Sequence, residues 1–138
     1  MIAVVTGSRS ITDYELVSTV LDRCWFDISE LWHGAQPGVK VNSQWLDTVD
    51  LLAARWAKEN SIPVKPFPAD WDRHGKPAGP IRNQAMADAA APLDSFLVKI
   101  WDGTSTGTAD CSKRFAAIPK PIYEYNRQTG KFAYYGLR

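Results

Sequence analysis

This sequence predicts an open, doubly wound α/β sheet, three-layered and mostly parallel, and three observations carry that prediction. Apolar runs alternate with stretches of helical periodicity along all 138 residues. The resulting order β-α-β-α-β-α-β-α-β builds a parallel sheet with helices on both faces. Residues 95–101 are almost continuously apolar, as a central parallel strand buried on both faces must be. Two of the runs also feed glycine-hydroxyl turns that open into helices. Residues 2–5 lead into Thr6-Gly7-Ser8-Arg9, and residues 96–101 lead into Gly103-Thr104-Ser105-Thr106-Gly107-Thr108.

Residues 2–6 make the first strand. A helix over 12–25 follows, because Leu16, Val17, Val20 and Leu21 recur on one face, with Thr12 or Asp13 to cap it. Residues 28–33 form the second strand, stopped by Gly34. Pro37, Gly38, Asn42 and Ser43 make 35–44 a loop, with Val39-Lys40-Val41 as a candidate edge strand. Leu46, Val49, Leu52, Ala53 and Trp56 then set a helix over 46–59. Residues 62–68 are the third strand, which Pro63 and Pro66 push to the sheet edge. Residues 69–79 are polar and aromatic and read as a loop suited to a ligand-facing lid. Pro80 suits the first position of a helix over 80–90. Strand 95–101, a helix over 106–116 and strand 122–125 follow, and 131–135 close the sheet as a hairpin partner across 126–130. No repeat, linker or low-complexity segment interrupts the chain. The expectation is one domain over 1–138, with 36–45 as an insertion and 122–136 as a C-terminal hairpin.

Composition narrows the function classes. A 45% hydrophobic content with six Trp, five Tyr and five Phe excludes a disordered chain. Sixteen Lys and Arg against 15 Asp and Glu leave a net charge of +1, which gives no support to an electrostatically driven nucleic-acid or membrane binder. No apolar stretch nears the roughly 20 residues that span a bilayer. No basic segment with a long apolar core opens the chain, so the expected location is cytoplasmic. Cys24 and Cys111 have no metal-ligand or CxxC spacing and read as two reduced thiols. Cys111 alone has a second reading, as a thiolate stabilised just inside a helix. Neither GxxxxGK[ST] nor GxGxxG occurs, and no HxxxH, paired Cys or EF-hand spacing is present, so the motifs call for no metal and no cofactor.

The candidate site is the carboxyl edge of the strands, where ligands sit in open α/β sheets. Unpaired amides and the helix dipole favour an anion at such turns. Gly7, Ser8 and Arg9 are the candidates for one phosphate, and Gly103, Thr104, Ser105, Thr106, Gly107 and Thr108 for a second. Arg82 and Asn83 open the third helix, where a cation needs a facing anion, either a ligand or a neighbour such as Asp70 or Asp72. Asp47 and Asp50 start the second helix, as dipole partners or as recognition groups for ribose. His33, before Gly34 at a strand end, is a packed histidine or a catalyst; His74 is solvated or touches ligand. Trp71 packs in the core or stacks on a base. Abundant Trp and Tyr and the open end of the sheet point towards a homo-oligomer.

These residues together carry a resemblance. Gly7-Ser8-Arg9, His33-Gly34-Ala35, Asp50 with Ala53-Ala54-Arg55-Trp56-Ala57, and Ala69-Asp70-Trp71 begin it. Ala78-Gly79-Pro80-Ile81-Arg82-Asn83 with Met86, and Trp101-Asp102-Gly103-Thr104-Ser105-Thr106-Gly107-Thr108, complete it. Over about residues 1–125 the chain resembles the small stand-alone branch of the SLOG superfamily. That superfamily includes the LOG cytokinin-activating phosphoribohydrolases, the lysine-decarboxylase-like proteins and the Rossmann domain of DprA. The resemblance implies a Rossmann-like fold that binds a nucleotide or nucleotide-derived ligand, phosphorylated or ADP-ribose-like, as a sensor, sequestering or regulatory module. The alternative it implies is an N-glycosidic hydrolase or transferase acting on nucleoside 5′-phosphates, with Arg82 and Asp50 as the candidate catalytic residues. A third reading, a DNA-processing accessory module, would bind nucleic acid with a steep salt dependence.

Two departures from that pattern stand out. Arg82-Asn83-Gln84-Ala85-Met86 matches the RKxxM helix with Asn for Lys, and Cys111 stands where the GTxxE motif has Glu. Asp110, one position away, is turned by about 100° around the helix and reads as a poor substitute. Residues 37–45 lengthen a turn that is tight in the branch, and would cover the pocket or make a subunit contact.

Overall fold

The computed structural model describes residues 1–137. In chain order the elements are β1 (Ile2–Gly7), α1 (Tyr14–Asp22), β2 (Glu30–His33), β3 (Val39–Val41), β4 (Gln44–Leu46), α2 (Val49–Glu59), β5 (Val64–Pro66), α3 (Trp71–His74), α4 (Ala78–Ala90), β6 (Ser95–Trp101), α5 (Thr106–Ala117), β7 (Ile122–Asn126) and β8 (Lys131–Tyr135). Six strands form one sheet in the order β5-β2-β1-β6-β7-β8. All pairs are parallel except β7 with β8, which closes the sheet as an antiparallel hairpin. The fold is a mixed α/β, Rossmann-like one, and its strand order reverses between β1 and β6.

Alternation along the strands gives each face its own core. Ala3, Val5, Leu31, Phe96, Val98, Ile100 and Tyr123 pack against Val17, Val20 and Leu21 of α1 and against Val49, Leu52, Ala53 and Trp56 of α2. Val4, Trp32, Leu97 and Ile122 face the other way, onto Met86, Ala87 and Ala90 of α4 and Cys111 and Phe115 of α5. Lys99 interrupts the apolar run of β6 and is nearly buried. It is matched by Glu124 at 3.0 Å, directly opposite on β7. The Lys99 ammonium lies 4.0 Å from the Trp101 ring centroid, and Tyr135 Oη donates to Glu124, so neither charge is left without compensation.

Several boundaries differ from the sequence expectation, each for a local reason. Val39–Val41 does not join the main sheet; it pairs with β4 in a separate two-stranded hairpin. Asn42 and Ser43 at its tip have φ of 49° and 66°, and two successive left-handed residues form the tight turn whose twist suits a hairpin. Leu46 consequently ends a strand, and α2 begins at Val49. The first helix is shorter than 12–25: it starts at Tyr14 because Asp13 caps it, accepting from the Glu15 amide at 3.0 Å, and it ends at Asp22, the Trp25 amide donating to Tyr134 Oη at 2.8 Å instead. Residues 71–74 are not loop but a helical turn, which Asp70 caps through the Arg73 amide at 3.1 Å. Pro80 is the third residue of α4, not the first, still within the opening turn where a missing N–H costs no helical bond. Pro66 ends β5, which lies at the sheet edge.

Gly7 shows how tightly β1 meets α2. A Cβ added there would overlap the Val49 side chain, and Val49 is itself buried. Gly7→Ala is therefore expected to lower the unfolding free energy by roughly 1–3 kcal/mol through overpacking, measured by urea titration.

Candidate functional site

The carboxyl ends of β1, β2 and β6 open onto a cleft of about 800 Å³. Of the residues singled out from sequence, Gly7, Arg9, Gly34, Asp50, Trp71, Arg82, Asn83, Thr104, Ser105, Thr106, Gly107 and Thr108 line it. Ser8, His33, Asp70 and Gly103 do not line it. The lining also includes Ser10, Gln36, Lys76, Asp102 and Asp110.

The helices explain the electrostatics of this cleft. α2 reaches it through Asp50, α4 through Gly79 and Pro80, and α5 through Thr106 and Gly107. None of the three has a side-chain cap on its N-terminus. Their partial positive ends therefore converge on one space. Arg9 adds a full charge there. It is exposed and makes no side-chain hydrogen bond or ion pair among the described residues.

Ser8 works from underneath. It is fully buried, its amide donates to Ile100 O at 3.1 Å, and its Oγ accepts from the Asp102 amide at 3.0 Å. Its hydroxyl also lies 3.5 Å from Thr108 Oγ1. It ties the first loop to the second and has no amide left for a ligand. Gly103, at φ 93°, lies against Gln128 of the β7–β8 turn.

Asp102 organises the second loop. Its Oδ1 accepts from the Thr104 and Ser105 amides at 2.9 and 2.8 Å and from Thr104 Oγ1 at 3.2 Å. Its Oδ2 accepts from Ser10 Oγ at 2.8 Å. Partial burial opposes its charge, but the donors from Thr104, Ser105 and Ser10 outweigh this and hold the carboxyl well below the usual range. Two of the amides that sequence offered to a phosphate thus already serve a carboxylate of the chain.

On the opposite wall, Arg82 Nη1 donates to Gly34 O and its Nε to Asn83 Oδ1 at 2.9 Å. Asn83 in turn donates to Asp110 Oδ2 at 3.0 Å. Asp50 is buried, and its Oδ2 accepts the Gln36 amide at 3.0 Å. Burial pushes this carboxyl up to about 6, against the pull of the Gln36 amide and of Arg82. His33 lies beneath the same turn, its Nδ1 accepting from the Ala35 amide at 2.9 Å. Burial, with Arg82 nearby, lowers it to about 4, so it is neutral at physiological pH.

A family match corroborates the resemblance at this point. Residues 1–74, more than half of the chain, match the family described as "YAcAr: YspA, cpYpsA-related SLOG family". The chain belongs to that SLOG family. The match takes in Gly7, Arg9, Asp50 and Trp71, and stops before Arg82 and the second loop. A similar protein, the Gene 61 protein of Mycobacterium phage D29, is 29% identical over 126 residues, spanning 88% of this chain and 93% of its own length. No solved structure matches. Among the described residues no helix is long and apolar enough to cross a membrane.

Within this SLOG chain the position of the missing glutamate resolves differently from the sequence argument. Cys111 is fully buried against Val4 and Leu97, and burial pushes its thiol up to about 12; it is a core residue and not a thiolate. Asp110 lines the cleft and is paired with Arg114 at 2.9 Å. Arg114 is anchored in turn by Gln84 Oε1 at 2.8 Å. An Asp followed by polar residues in a glycine turn is a signal for side-chain capture of the next amides, and it would have found Asp102. Asp110, set aside above because of its turn around the helix, faces the cleft, where Asn83 of α4 donates to it.

The sign of the pH effect at Asp50 follows from its raised value. Between its ordinary 3.8 and about 6 the folded protein holds more protons than the unfolded chain, so stability falls as pH rises through that window. His33 acts oppositely, losing stability as pH drops from 6.5 to about 4. Asp50→Asn removes only the first effect. Its stability relative to wild type is expected to improve by as much as about 3 kcal/mol between pH 4 and pH 7, measured by urea unfolding at both values.

Proposed function

We propose that the cleft binds a nucleotide-derived ligand, with its phosphate on the first turn of α5, and that the protein acts as a sensor, sequestering or regulatory module for that ligand. The observation that carries this reading is Gly107. It lies in the opening turn of α5 with no left-handed φ, and a Cβ there would meet nothing within 4 Å. Glycine in a helix costs about 0.5–1 kcal/mol relative to alanine, and packing within the chain gives no reason to accept that cost. A ligand approaching the backbone amides supplies one. Arg9 is free to grip the phosphate, and SLOG membership supports a nucleotide-related guest. Trp71, 41% exposed on α3 and standing over Gly79, offers a flat face for a base.

A second reading, cleavage of the N-glycosidic bond of a nucleoside 5′-phosphate, is favoured by Asp50. A carboxyl at about 6 inside the cleft suits proton transfer near neutral pH. Its charged form suits an oxocarbenium-like sugar carbon. Water would add to C1′ while the C–N bond breaks and the base leaves with a proton. Release of free base from a panel of nucleoside monophosphates and ADP-ribose derivatives separates this reading from binding alone.

Two variants test the site, read by calorimetric titration of the same panel and by thermal melting. Gly107→Ala is expected to keep or slightly raise the melting temperature while weakening the phosphorylated ligand at least tenfold. Arg9→Ala should weaken it about 10- to 100-fold through a lost charge-assisted bond, with the melting temperature unchanged. Wild-type affinity in Gly107→Ala would overturn the assignment. Native mass spectrometry of freshly purified protein identifies any co-purifying guest.

A further inference from the structure

We infer that Asp102 is a charge filter: the chain fills the amides just before α5 with its own carboxylate, so the cleft accepts a single phosphate on the α5 turn and rejects a phosphate chain. This rests on the reading of the α5 turn as the phosphate site. The cradle after β6 has amides from Thr104 and Ser105 and hydroxyls from Thr104 and Ser10, and all of them donate to Asp102. That is the donor set a phosphate would seek.

The carboxylate is also held in place from outside the cleft. Arg127, in the β7–β8 turn, donates to Ser10 O at 3.0 Å and to Ser10 Oγ at 2.9 Å. The Arg127 amide is bonded to Trp101 O at 2.8 Å. Ser10 is therefore pinned where its hydroxyl meets Asp102. Arg127 reaches Ser10 and not the carboxylate, and Asp102 has no ion pair among the described residues. Its direct partners are N–H and O–H dipoles, and the carboxylate stands as a negative wall of the cleft.

The charge inventory agrees. Arg9, Lys76 and Arg82 line the cleft against Asp50, Asp102 and Asp110, a balance that suits one phosphate and opposes a run of them. Asp110, on the other side of the α5 turn, is held as an anion too. Burial opposes its charge, but Arg114 and Asn83 lower its pKa.

The test uses inorganic anions, so that no base or sugar preference enters. Phosphate, pyrophosphate and tripolyphosphate are titrated into the full chain by calorimetry. Wild type is expected to bind phosphate and to bind pyrophosphate and tripolyphosphate no more tightly. Asp102→Asn keeps an acceptor for both amides but removes the charge, and should tighten pyrophosphate at least tenfold while leaving phosphate within about threefold. Ser10→Ala removes the hydroxyl that donates to Asp102 but keeps the charge, and should retain the wild-type preference.

Wild type binding pyrophosphate tenfold more tightly than phosphate would overturn the filter, because the carboxylate would then swing aside. Equal shifts in Asp102→Asn and Ser10→Ala would also overturn it, since loop order and not charge would be responsible. The wild-type comparison needs no variant, so it decides the matter even if Asp102→Asn does not fold. Phosphate binding that is absent, or indifferent to Gly107→Ala, overturns the site itself, an outcome distinct from failure of the filter alone.

Discussion

The arrangement depends on the parallel register of β1 with β6. The ladder runs from Ile2 opposite Ser95 to Gly7 opposite Ile100, and the Ser8 amide extends it by one more bond to Ile100 O. Both strands end at the same level, but the chain leaves them towards opposite faces, β1 to α1 and β6 to α5. Neither connection can cover the gap between them. A cleft at this reversal is a geometric consequence of the fold, and the helix termini around it follow from the same geometry.

The groups around this cleft also hold the protein together. Arg82 secures the Gly34 carbonyl, Asp50 takes the Gln36 amide, and Asp102 gathers the turn from Ser10 to Ser105. Such a site is preorganised, because a ligand meets loops that are already in place and has little ordering entropy to supply. The cost appears at Asp50, whose burial disfavours its own charge. Strongly shifted groups in a cleft are a recurrent mark of working residues. The donors at the first turn of α5 and on Arg9 face the same cleft without a side-chain partner among the described residues.

The other buried charge pair has a different character. Lys99 and Glu124 sit across from each other on β6 and β7, outside the residues that line the cleft. Trp101 and Tyr135 complete their surroundings. Their alternation places them on the same sheet face as Leu97 and Ile122, where a lone charge would be costly. The pair therefore bears on how β7 and its hairpin partner join the sheet, and the hairpin turn in turn supports Ser10 through Arg127.

Much of this was legible in the sequence. The continuous apolar run of residues 95–101, the helical spacing through Val49, Leu52, Ala53 and Trp56, and the glycine turns after β1 and β6 are short-range patterns, and they determined the alternation of strands and helices that defines the fold class and the edge that carries the cleft. What failed was decided over longer distances or by single backbone angles. Asn42 and Ser43 turned a candidate edge strand into a separate hairpin, and Asp70 wound an expected loop into α3. Only the tertiary structure decided that the first loop has no amide to offer at Ser8, because that amide goes to Ile100 O and the Ser8 hydroxyl takes the Asp102 amide across 94 residues of chain. It also decided that Asp110 and not Cys111 faces the cleft, since that depends on how α4 and α5 cross. Periodicity reports which way a residue faces along its own element, whereas a hydrogen bond between distant loops exists only once the sheet has brought their ends together.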